Sequence, residues 1–509
     1  MSDFEEQLGS LFSSAAIVFS GRVLERGLAL FGQILIIRSL APDVFGDIAV
    51  TYTVVGTVST VLALGLYHGV TRTMSSKETA SEQIAVLLNG VYIVLFSGAL
   101  GVVGIYLFRN DIARLFDNPT IDGLLILFLP IAFFGPLSKV IESGLRSLKN
   151  TQETIFFRDI LSRILALVAL GVFVILGDVY TGAIVYWNVL PVLIVVLLLY
   201  LYFDLIRNNG GIVSPSMGLM KQLISFSWPL AISGSIIILM RNLDIFMIAY
   251  FLDANPVGLY RAIQGLNAIP LFILQSFVFL YLPLATEAFS NDKTEDLGRL
   301  YTASTRWISL VTFPIAAIVV FFSDDVIRVL FSEQYVPASL ALSILVGGVF
   351  VRALAGPNGA TINAIGKSKV EMTSGITGLV ANFAFNILLI PQFGIEGAAL
   401  ATGAGFFVYN GVEVGIIYWI TGIHPFSVKT FRALLPSTIV VGAFAAWTSN
   451  IQFGIGLLGL VGVAVGLLTV VSVIMTGAFD EIDLLLLNQL EESTGKDFDR
   501  LRVLIIRAQ

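Results

Sequence analysis

Three ionisable residues lie in the middle of a long apolar stretch near the start of the chain. Arg22, Glu25 and Arg26 belong to the segment SGRVLERGLALFGQILIIRSLAP, residues 20–42. At helical spacing they share one face with Gln33, because residues three or four apart are neighbours on a helix. A charge at the centre of a bilayer costs about 2.5–3.5 kcal/mol on insertion scales. We therefore expect this face to meet protein or water rather than lipid tails.

The positive charge on this face suits an anionic ligand. Glu25 can neutralise one of the two arginines, Arg22 and Arg26, but not both. Guanidinium groups bind phosphate oxygens through two hydrogen bonds and stay charged at physiological pH. The sequence therefore favours a hydrated cationic cavity that binds phosphate over a purely structural set of ion pairs.

A second apolar stretch carries a similar central pair, Arg241 and Asp244, three residues apart. An intrahelical ion pair is the alternative interpretation for these two residues. Further polar side chains inside apolar stretches could line the same cavity: Gln33, Arg72, Gln264, Asn267 and Arg352.

Two other charged sets favour a structural interpretation. Asp159 and Arg163 are four residues apart near the end of an apolar stretch, and Lys139, Glu142 and Arg146 follow helical spacing. Pairs at this spacing stabilise a helix by themselves. We predict that both sets are intrahelical ion pairs.

The composition places the chain in a membrane. Hydrophobic residues make up 56% of the 509 residues, charged residues make up 13%, and the mean hydropathy is +0.90. Soluble chains average about 25% charged residues, and apolar runs of about 18 residues or more indicate membrane spans. The acidic start MSDFEEQLGS lacks a basic region, so we expect no cleavable signal peptide.

Thiol and metal chemistry are disfavoured. The chain has no cysteine, and its two histidines, His68 and His424, are far apart. This pattern excludes disulfides, thiolate sites and a multi-histidine metal centre. The predicted external loops are short and carry no paired carboxylates, so we expect no catalytic residue, no metal and no cofactor. Coupling to Na⁺ or H⁺ stays open.

We predict an all-α polytopic membrane protein with fourteen transmembrane helices. Lysine and arginine concentrate in the even-numbered loops, which places those loops and both termini in the cytoplasm. The predicted spans are 11–40, 45–71, 83–108, 121–145, 153–177, 179–203, 222–251, 257–286, 299–322, 337–363, 370–390, 394–420, 430–448 and 454–476.

The chain also resembles itself. Phe331 and Gly397 follow Phe116 and Gly182 by the same 215 residues, within similar local sequences. We therefore predict two pseudo-symmetric six-helix lobes around a central cavity, where transporters of this kind place their substrate. The predicted divisions are an N-lobe at 1–210, a C-lobe at 211–424, two further helices at 425–478 and a cytoplasmic amphipathic tail at 479–509.

Two short elements in the first half indicate a family. The pattern R-x-L-x-P-x-x-F-G is carried by Arg38, Leu40, Pro42, Phe45 and Gly46, and G-L-x-x-x-x-x-R by Gly65, Leu66 and Arg72. With the charged first helix and the run GIEGAALAT, the chain resembles the polysaccharide-transporter branch of the MOP flippase superfamily. That branch includes the Wzx-type O-antigen flippases.

The resemblance implies a flippase for an oligosaccharide linked to a polyprenyl or dolichyl (di)phosphate, moved from the cytoplasmic to the outer leaflet by alternating access. In that family cavity arginines hold the phosphate, a role carried here to Arg22, Arg26 and Arg241, with Glu25 and Asp244 as charge partners. The implied partners are the lipid-linked oligosaccharide, membrane lipid and glycosyltransferase or polymerase machinery, but no nucleic acid. We expect a monomer in the cell membrane. The absence of cysteine and the acidic termini fit a haloarchaeal source.

Two other functions compete with this interpretation. A cation-coupled multidrug exporter of the same superfamily would have twelve helices and a cavity suited to cationic drugs, against the arginine excess here. A membrane polysaccharide polymerase or ligase would carry catalytic residues in a sizeable external loop, which this chain lacks.

Overall fold

The structure, a computed structural model, describes residues 21, 23–147, 156–208 and 215–478. Within these ranges nearly all residues are helical and no strand occurs, which confirms the predicted all-α membrane fold. Helices suit a bilayer because they satisfy every backbone hydrogen bond within one segment. The chain forms two compact units, Met1–Gly258 and Leu259–Gln509.

The helices of the first unit follow the predicted spans. A π-helical turn, Phe156–Leu161, leads into α7. The bounds are α1 23–39, α2 Pro42–Leu62, α3 Leu66–Ser75, α4 Ala80–Leu115, α5 Thr120–Leu127, α6 Leu129–Ser147, α7 Ser162–Ile175, α8 Val179–Asn208 and α9 Met217–Phe251.

A glycine turn separates α2 from α3. Pro42 opens α2, where its missing N–H costs no helical hydrogen bond. After α2, Leu64 and Gly65 take positive φ angles of 51° and 65°. A Cβ on Gly65 would lie 2.6 Å from the carbonyl oxygen of Ser227 on α9. The close approach and the left-handed backbone together require glycine here.

The core of the first unit joins α3, α4, α6 and α9. Its fully buried side chains include Leu66, Val70, Val86, Val140 and Leu223. Helix α9 therefore belongs to the first compact unit, although it follows residue 210, where the sequence places the end of the N-lobe. The division into two repeated lobes stays a prediction.

The second unit is also built from helices. Helix α10 (Ala254–Gln264) begins before the division between the units. The further bounds are α11 Ala268–Ser290, α12 Thr294–Phe321, α13 Ser323–Leu330, α14 Ser339–Ala355, α15 Asn358–Ala364, α16 Ser368–Thr421, α17 Val428–Trp447 and α18 Ile455–Met475.

A bend at Gly394 divides the long helix α16. Its φ of 60° and ψ of −135° are not helical, and the bend falls at the first residue of the predicted span 394–420. In the segment that the sequence repeat matches to this one, Gly177 also takes a positive φ, of 78°. Only glycine adopts such angles without strain.

Among the described residues, fewer helices than the predicted fourteen are long and apolar enough to cross a membrane. The described residues contain 10 helices that meet both criteria, or up to 11 if the bent pair α5–α6 is one span. Helix α16 is one of them although it covers two predicted spans. Residues 11–20 of the first predicted span and the predicted tail 479–509 lie outside the described residues. The count of fourteen therefore stays a prediction.

Helices α17 and α18 pack on the rest of the second unit. The Ser472 hydroxyl of α18 donates to the backbone carbonyl of Ala433 on α17. Phe322, Phe444 and Phe453 form an aromatic cluster, with ring centroids 5.4–6.3 Å apart. Aromatic pairs in this range contribute about 0.5–1.5 kcal/mol beyond their burial. These two helices are thus packed elements of the second unit.

Candidate functional site

An ion pair between Glu25 and Arg163 joins α1 to α7. The Arg163 Nη2 lies 2.9 Å from the Glu25 Oε1, and the Arg163 Nε donates to the same oxygen at 3.1 Å. The Glu25 side chain is 24% exposed and the Arg163 side chain is 26% exposed, so the pair is partly accessible to solvent. The predicted partner of Arg163 was Asp159, and that prediction is wrong, because the carboxylate of another helix approaches more closely.

The other members of the first predicted set lie on α1. Arg22 lies outside the described residues, Arg26 is exposed and Gln33 is half-buried. Glu25 binds Arg163 on a different helix, so its carboxylate does not serve only the arginines of its own helix. The charged face of α1 that helical spacing predicts therefore contacts α7 through Glu25.

Asp159 pairs with its neighbour Arg158. The Arg158 Nη2 lies 2.8 Å from the Asp159 Oδ2, and the same guanidinium group donates to Glu142 on α6. The carboxylates of Asp159 and Glu142 therefore share one arginine across the π-helical turn. Because π-turns reorient side chains by one position, the spacing i, i+4 does not predict this pairing.

Lys139 on α6 is a cation that the sequence reasoning assigned to an intrahelical set. Its Nζ donates to the Thr60 hydroxyl of α2 at 3.0 Å. No described carboxylate forms an ion pair with this half-buried ammonium group. A buried ammonium group needs an acceptor and a counter-charge. The Thr60 hydroxyl supplies the first, and the Glu142 carboxylate of the predicted pair attracts the Lys139 ammonium group without a direct salt bridge.

Arg72 and Arg241 also lie in the first unit. The Arg72 guanidinium stacks over the Phe226 ring of α9 at 4.3 Å. On α9, Arg241 is exposed and Asp244 is half-buried. Between them, the Asn242 amide donates to the Thr57 hydroxyl of α2 at 3.0 Å. Thus α2 presents hydroxyl groups, Thr57 and Thr60, toward polar groups of two other helices.

The remaining predicted residues belong to the second unit. The Gln264 side chain accepts a hydrogen bond from Arg261 at 2.8 Å. The Asn267 Oδ1 is buried and accepts no hydrogen bond from the described residues. The Arg352 guanidinium lies over the Phe406 and Tyr409 rings at 5.2 and 5.6 Å, within cation–π range.

The structure therefore shows separate polar contacts between helices of the first unit. We refer to Glu25, Thr57, Thr60, Lys139 and Arg163 as the polar contact residues of the first unit. Lys139 and Arg163 are the members that sequence reasoning left out of the site. Each is a charged residue inside an apolar stretch, which could have indicated a site. Their helical spacing to nearby carboxylates instead favoured intrahelical ion pairs. A pocket elsewhere in this unit, lined by Asn118 and Asp253, does not include the described members of the predicted set.

The arrangement suits recognition of an anion. Guanidinium and ammonium groups are strong donors to phosphate oxygens, and hydroxyl groups on α2 can add neutral hydrogen bonds. No group of three or more histidine, aspartate or glutamate residues that could hold a metal ion occurs in the described ranges.

Comparisons with known proteins agree with this architecture. Residues 35–340 match the family described as "Polysaccharide biosynthesis protein". The chain is 21% identical over 402 residues to the "Probable low-salt glycan biosynthesis flippase Agl15" of Haloferax volcanii, covering 78% of this chain and 81% of that protein. It is 27% identical over 195 residues to the "Uncharacterized membrane protein MJ1068" of Methanocaldococcus jannaschii, covering 38% of each chain.

A solved structure shares the fold. The lipid II flippase MurJ, in its inward closed conformation, superposes with a TM-score of 0.70 and 15% sequence identity, over 89% of this chain and 98% of that one. At this identity the likeness concerns the fold. Taken with the family match over more than half of the residues, it confirms the resemblance inferred from the first-half motifs. The chain belongs to the polysaccharide biosynthesis protein family.

Proposed function

We propose that this protein is a flippase for a lipid-linked oligosaccharide. It moves a glycan attached to a polyprenyl or dolichyl (di)phosphate from the cytoplasmic to the outer leaflet, for assembly of cell-surface polysaccharide or glycoprotein. Movement occurs by alternating access, with a water-filled site open to one side of the membrane at a time. The family match and the named flippase relative support this proposal.

The observation that carries the proposal is Lys139. Its ammonium group lies on a membrane helix, is half-buried and donates a hydrogen bond to the Thr60 hydroxyl, while the Glu142 carboxylate attracts it without a direct salt bridge. Burial of a charge without a counter-ion is costly. A phosphate group that arrives and leaves would add a strong charged acceptor for this ammonium group, which no direct salt bridge in the described residues occupies.

The site assignment extends the predicted set. Arg22, Arg26 and Arg241 bind the phosphate or diphosphate, together with Lys139. Glu25 acts as a charge partner by holding Arg163, and Asp244 is the charge partner on α9. Gln33, Arg72, Gln264, Asn267 and Arg352 are further polar positions that contact the cargo or the water around it.

The physical task explains this polar lining. The hydroxyl groups of an oligosaccharide cannot cross hydrocarbon without losing hydrogen bonds that cost several kcal/mol each. A hydrated site lets the sugar pass through water while the lipid tail stays among lipids. Moderate binding by a few solvated cations suits a carrier, since equal and very tight binding in every state would retain the cargo.

The experiment is transport by the purified protein in liposomes. A polyprenyl-diphosphate oligosaccharide is placed in both leaflets, and the fraction accessible to an external glycosidase is followed with time. We expect full accessibility with the wild-type protein and half accessibility in empty liposomes. A wild-type protein that leaves the glycan at half accessibility, but moves organic cations, would make the multidrug exporter the better assignment.

The variants Arg22→Ala, Arg26→Ala and Lys139→Ala are compared with Arg299→Ala. Arg299 forms an exposed ion pair with Glu295 at 2.6 Å, one turn away, so its loss removes a cation without touching the site. We expect the first three to slow transport at least tenfold at equal incorporation, and the control to transport normally. In the cell, the protein acts as a monomer in the cytoplasmic membrane beside glycosyltransferase or polymerase machinery.

A further inference from the structure

Large aromatic side chains line the space between α2 and α8 in the first unit. These two helices do not pack closely along their backbones. Instead, the Trp187 ring of α8 lies against Tyr52 and Phe45 of α2, with ring centroids 5.2 and 6.3 Å away. The Phe128 ring, directly after α5, lies 6.4 Å from Tyr52 and 6.5 Å from Trp187. Aromatic side chains, and not direct contact between the helices, therefore form the walls of this space.

Burial separates this aromatic cluster into a buried base and an accessible edge. Phe45 and Phe128 are 1% and 0% exposed and belong to the core. Tyr52 and Trp187 are half-buried, and their rings are stacked, with 28° between the planes. The Trp187 indole N–H is not fully enclosed, and it donates no hydrogen bond to the described residues. A tryptophan N–H inside a protein usually has a partner, so this edge of the cluster suits a ligand that supplies one.

The ion pair of Glu25 and Arg163 borders the same edge. The Arg163 guanidinium group interacts electrostatically with the Tyr52 and Tyr186 hydroxyl groups. The Tyr186 ring in turn lies edge-on to the Trp187 ring, with centroids 6.3 Å apart. Guanidinium donors, carboxylate acceptors and two aromatic faces therefore adjoin one another within the first unit.

A neutral ligand with many hydroxyl groups fits this surface best. Glu25 and Arg163 already neutralise each other, so a cation would meet the guanidinium group and an anion the carboxylate at short range. A hydroxyl group can accept a hydrogen bond from the guanidinium group and donate one to the carboxylate, which keeps the charges balanced. One face of a pyranose ring carries C–H groups with small positive partial charges, and these favour the negative face of an aromatic ring. Together these features are those of a sugar site.

We propose that the stacked rings of Tyr52 and Trp187, together with the ion pair beside them, bind one neutral pyranose ring of the glycan. The sugar ring lies against the aromatic stack, and its hydroxyl groups form hydrogen bonds with Arg163 and Glu25. Because Glu25 directly precedes Arg26 on α1, the ring concerned is one close to the phosphate. This assignment rests on the proposed function and deepens it, since the phosphate-binding residues serve any lipid-linked phosphate whereas this surface selects for the sugar.

The test compares two ligands at equilibrium and does not depend on transport. Full-length protein in detergent is titrated with undecaprenyl diphosphate and with the same lipid bearing one glucose, and binding is followed by calorimetry. Trp187→Leu removes the aromatic face but keeps an apolar side chain, and Trp187→Phe keeps an aromatic ring. The matched control is Trp419→Leu on α16, where the tryptophan is 84% exposed. Competition by tetraphenylphosphonium tests the alternative of an aromatic site for organic cations.

We expect the glucose-bearing lipid to bind the wild-type protein and Trp419→Leu at least about tenfold more tightly than the bare lipid, because it adds ring contact and charged hydrogen bonds. Trp187→Leu should lose this preference and still bind the bare lipid as the wild-type protein does. Trp187→Phe should keep most of the preference. Because the readout is the ratio of two affinities for one protein, it holds even where a variant changes the stability itself.

Four results would overturn the sugar site. They are a wild-type protein without preference for the glucose-bearing lipid, an unchanged preference in Trp187→Leu, a loss in Trp187→Phe as large as in Trp187→Leu, and competition by tetraphenylphosphonium that depends on Trp187. A wild-type protein that binds both lipids equally leaves the proposed function standing. A wild-type protein that binds neither lipid removes the phosphate site of the proposed function as well.

Discussion

Glu25 and Arg163 lie 138 positions apart in sequence and form a direct ion pair, with the Arg163 Nη2 2.9 Å from the Glu25 Oε1. The pair joins the charged face of α1 to α7. It also explains how two ionisable residues are tolerated inside apolar stretches, since each supplies the counter-charge of the other.

The first prediction concerns this pair. Glu25→Gln and Arg163→Gln should each lower the stability of the protein, and the double variant should lose less than the sum, with a coupling of about 0.5–3 kcal/mol. Because about a quarter of each side chain is exposed, water weakens the coupling toward the lower part of that range. Thermal unfolding of the four proteins in detergent measures it. Additive losses would show that the two charges do not stabilise each other.

The second prediction concerns Lys139. Lys139→Met keeps the length and apolar body of the side chain but removes its charge, and should weaken binding of a lipid-linked diphosphate about 10–100-fold, the equivalent of one charged hydrogen bond of about 1.5–3 kcal/mol. Lys139→Arg should retain most of the affinity. Titration of the purified protein with the lipid-linked ligand tests this. Equal affinity of Lys139→Met and wild type would remove Lys139 from the site.

The third prediction concerns two glycines that approach each other in the first unit. A Cβ on Gly46 would lie 1.9 Å from the Ala254 carbonyl oxygen, and a Cβ on Gly258 would lie 1.8 Å from that of Pro42. Backbone atoms cannot move aside as a flexible side chain would. Gly46→Ala and Gly258→Ala should therefore each cost at least about 1–3 kcal/mol.

The matched control for these glycines is Gly56→Ala. Gly56 lies on α2 like Gly46, but a Cβ there meets no atom within 4 Å. Alanine favours a helix over glycine by about 1 kcal/mol, so Gly56→Ala should be neutral or stabilising. Melting temperatures of the three variants decide the matter. A loss of the same size in all three would mean that the close contact is not the cause.

The fourth prediction concerns Asp325, which joins α13 to the start of α18. Its Oδ1 accepts a hydrogen bond from the Phe453 backbone N–H at 3.0 Å and forms an ion pair with Arg328 at 3.0 Å. Asp325→Ala should lower stability by about 1–3 kcal/mol, because it leaves a buried N–H without a partner. The exposed neighbour Asp324 supplies the control Asp324→Ala, expected within about 0.5 kcal/mol of wild type. Proteolysis between α17 and α18 offers a second readout, which should rise only for Asp325→Ala.

Sequence reasoning identified the helices with good accuracy. Long apolar runs bounded by glycine, proline and charge predict helices such as α4 and α9, because hydrocarbon excludes any other backbone arrangement that leaves polar groups unpaired. The family motif around Pro42 and Gly46 marks the start of α2, where proline favours a helix N-terminus. These features depend on the local sequence and on the bilayer environment, which the apolar composition of the sequence indicates.

The composition, the apolar runs and the first-half motifs thus predicted by themselves an all-helical membrane protein of the polysaccharide biosynthesis protein family. They also marked Glu25 as a charge inside an apolar stretch. Its partner, Arg163, and the acceptor of Lys139 were decided only by tertiary structure. Helical spacing relates residues three or four positions apart, whereas these contacts join different helices, and their choice depends on how the helices pack.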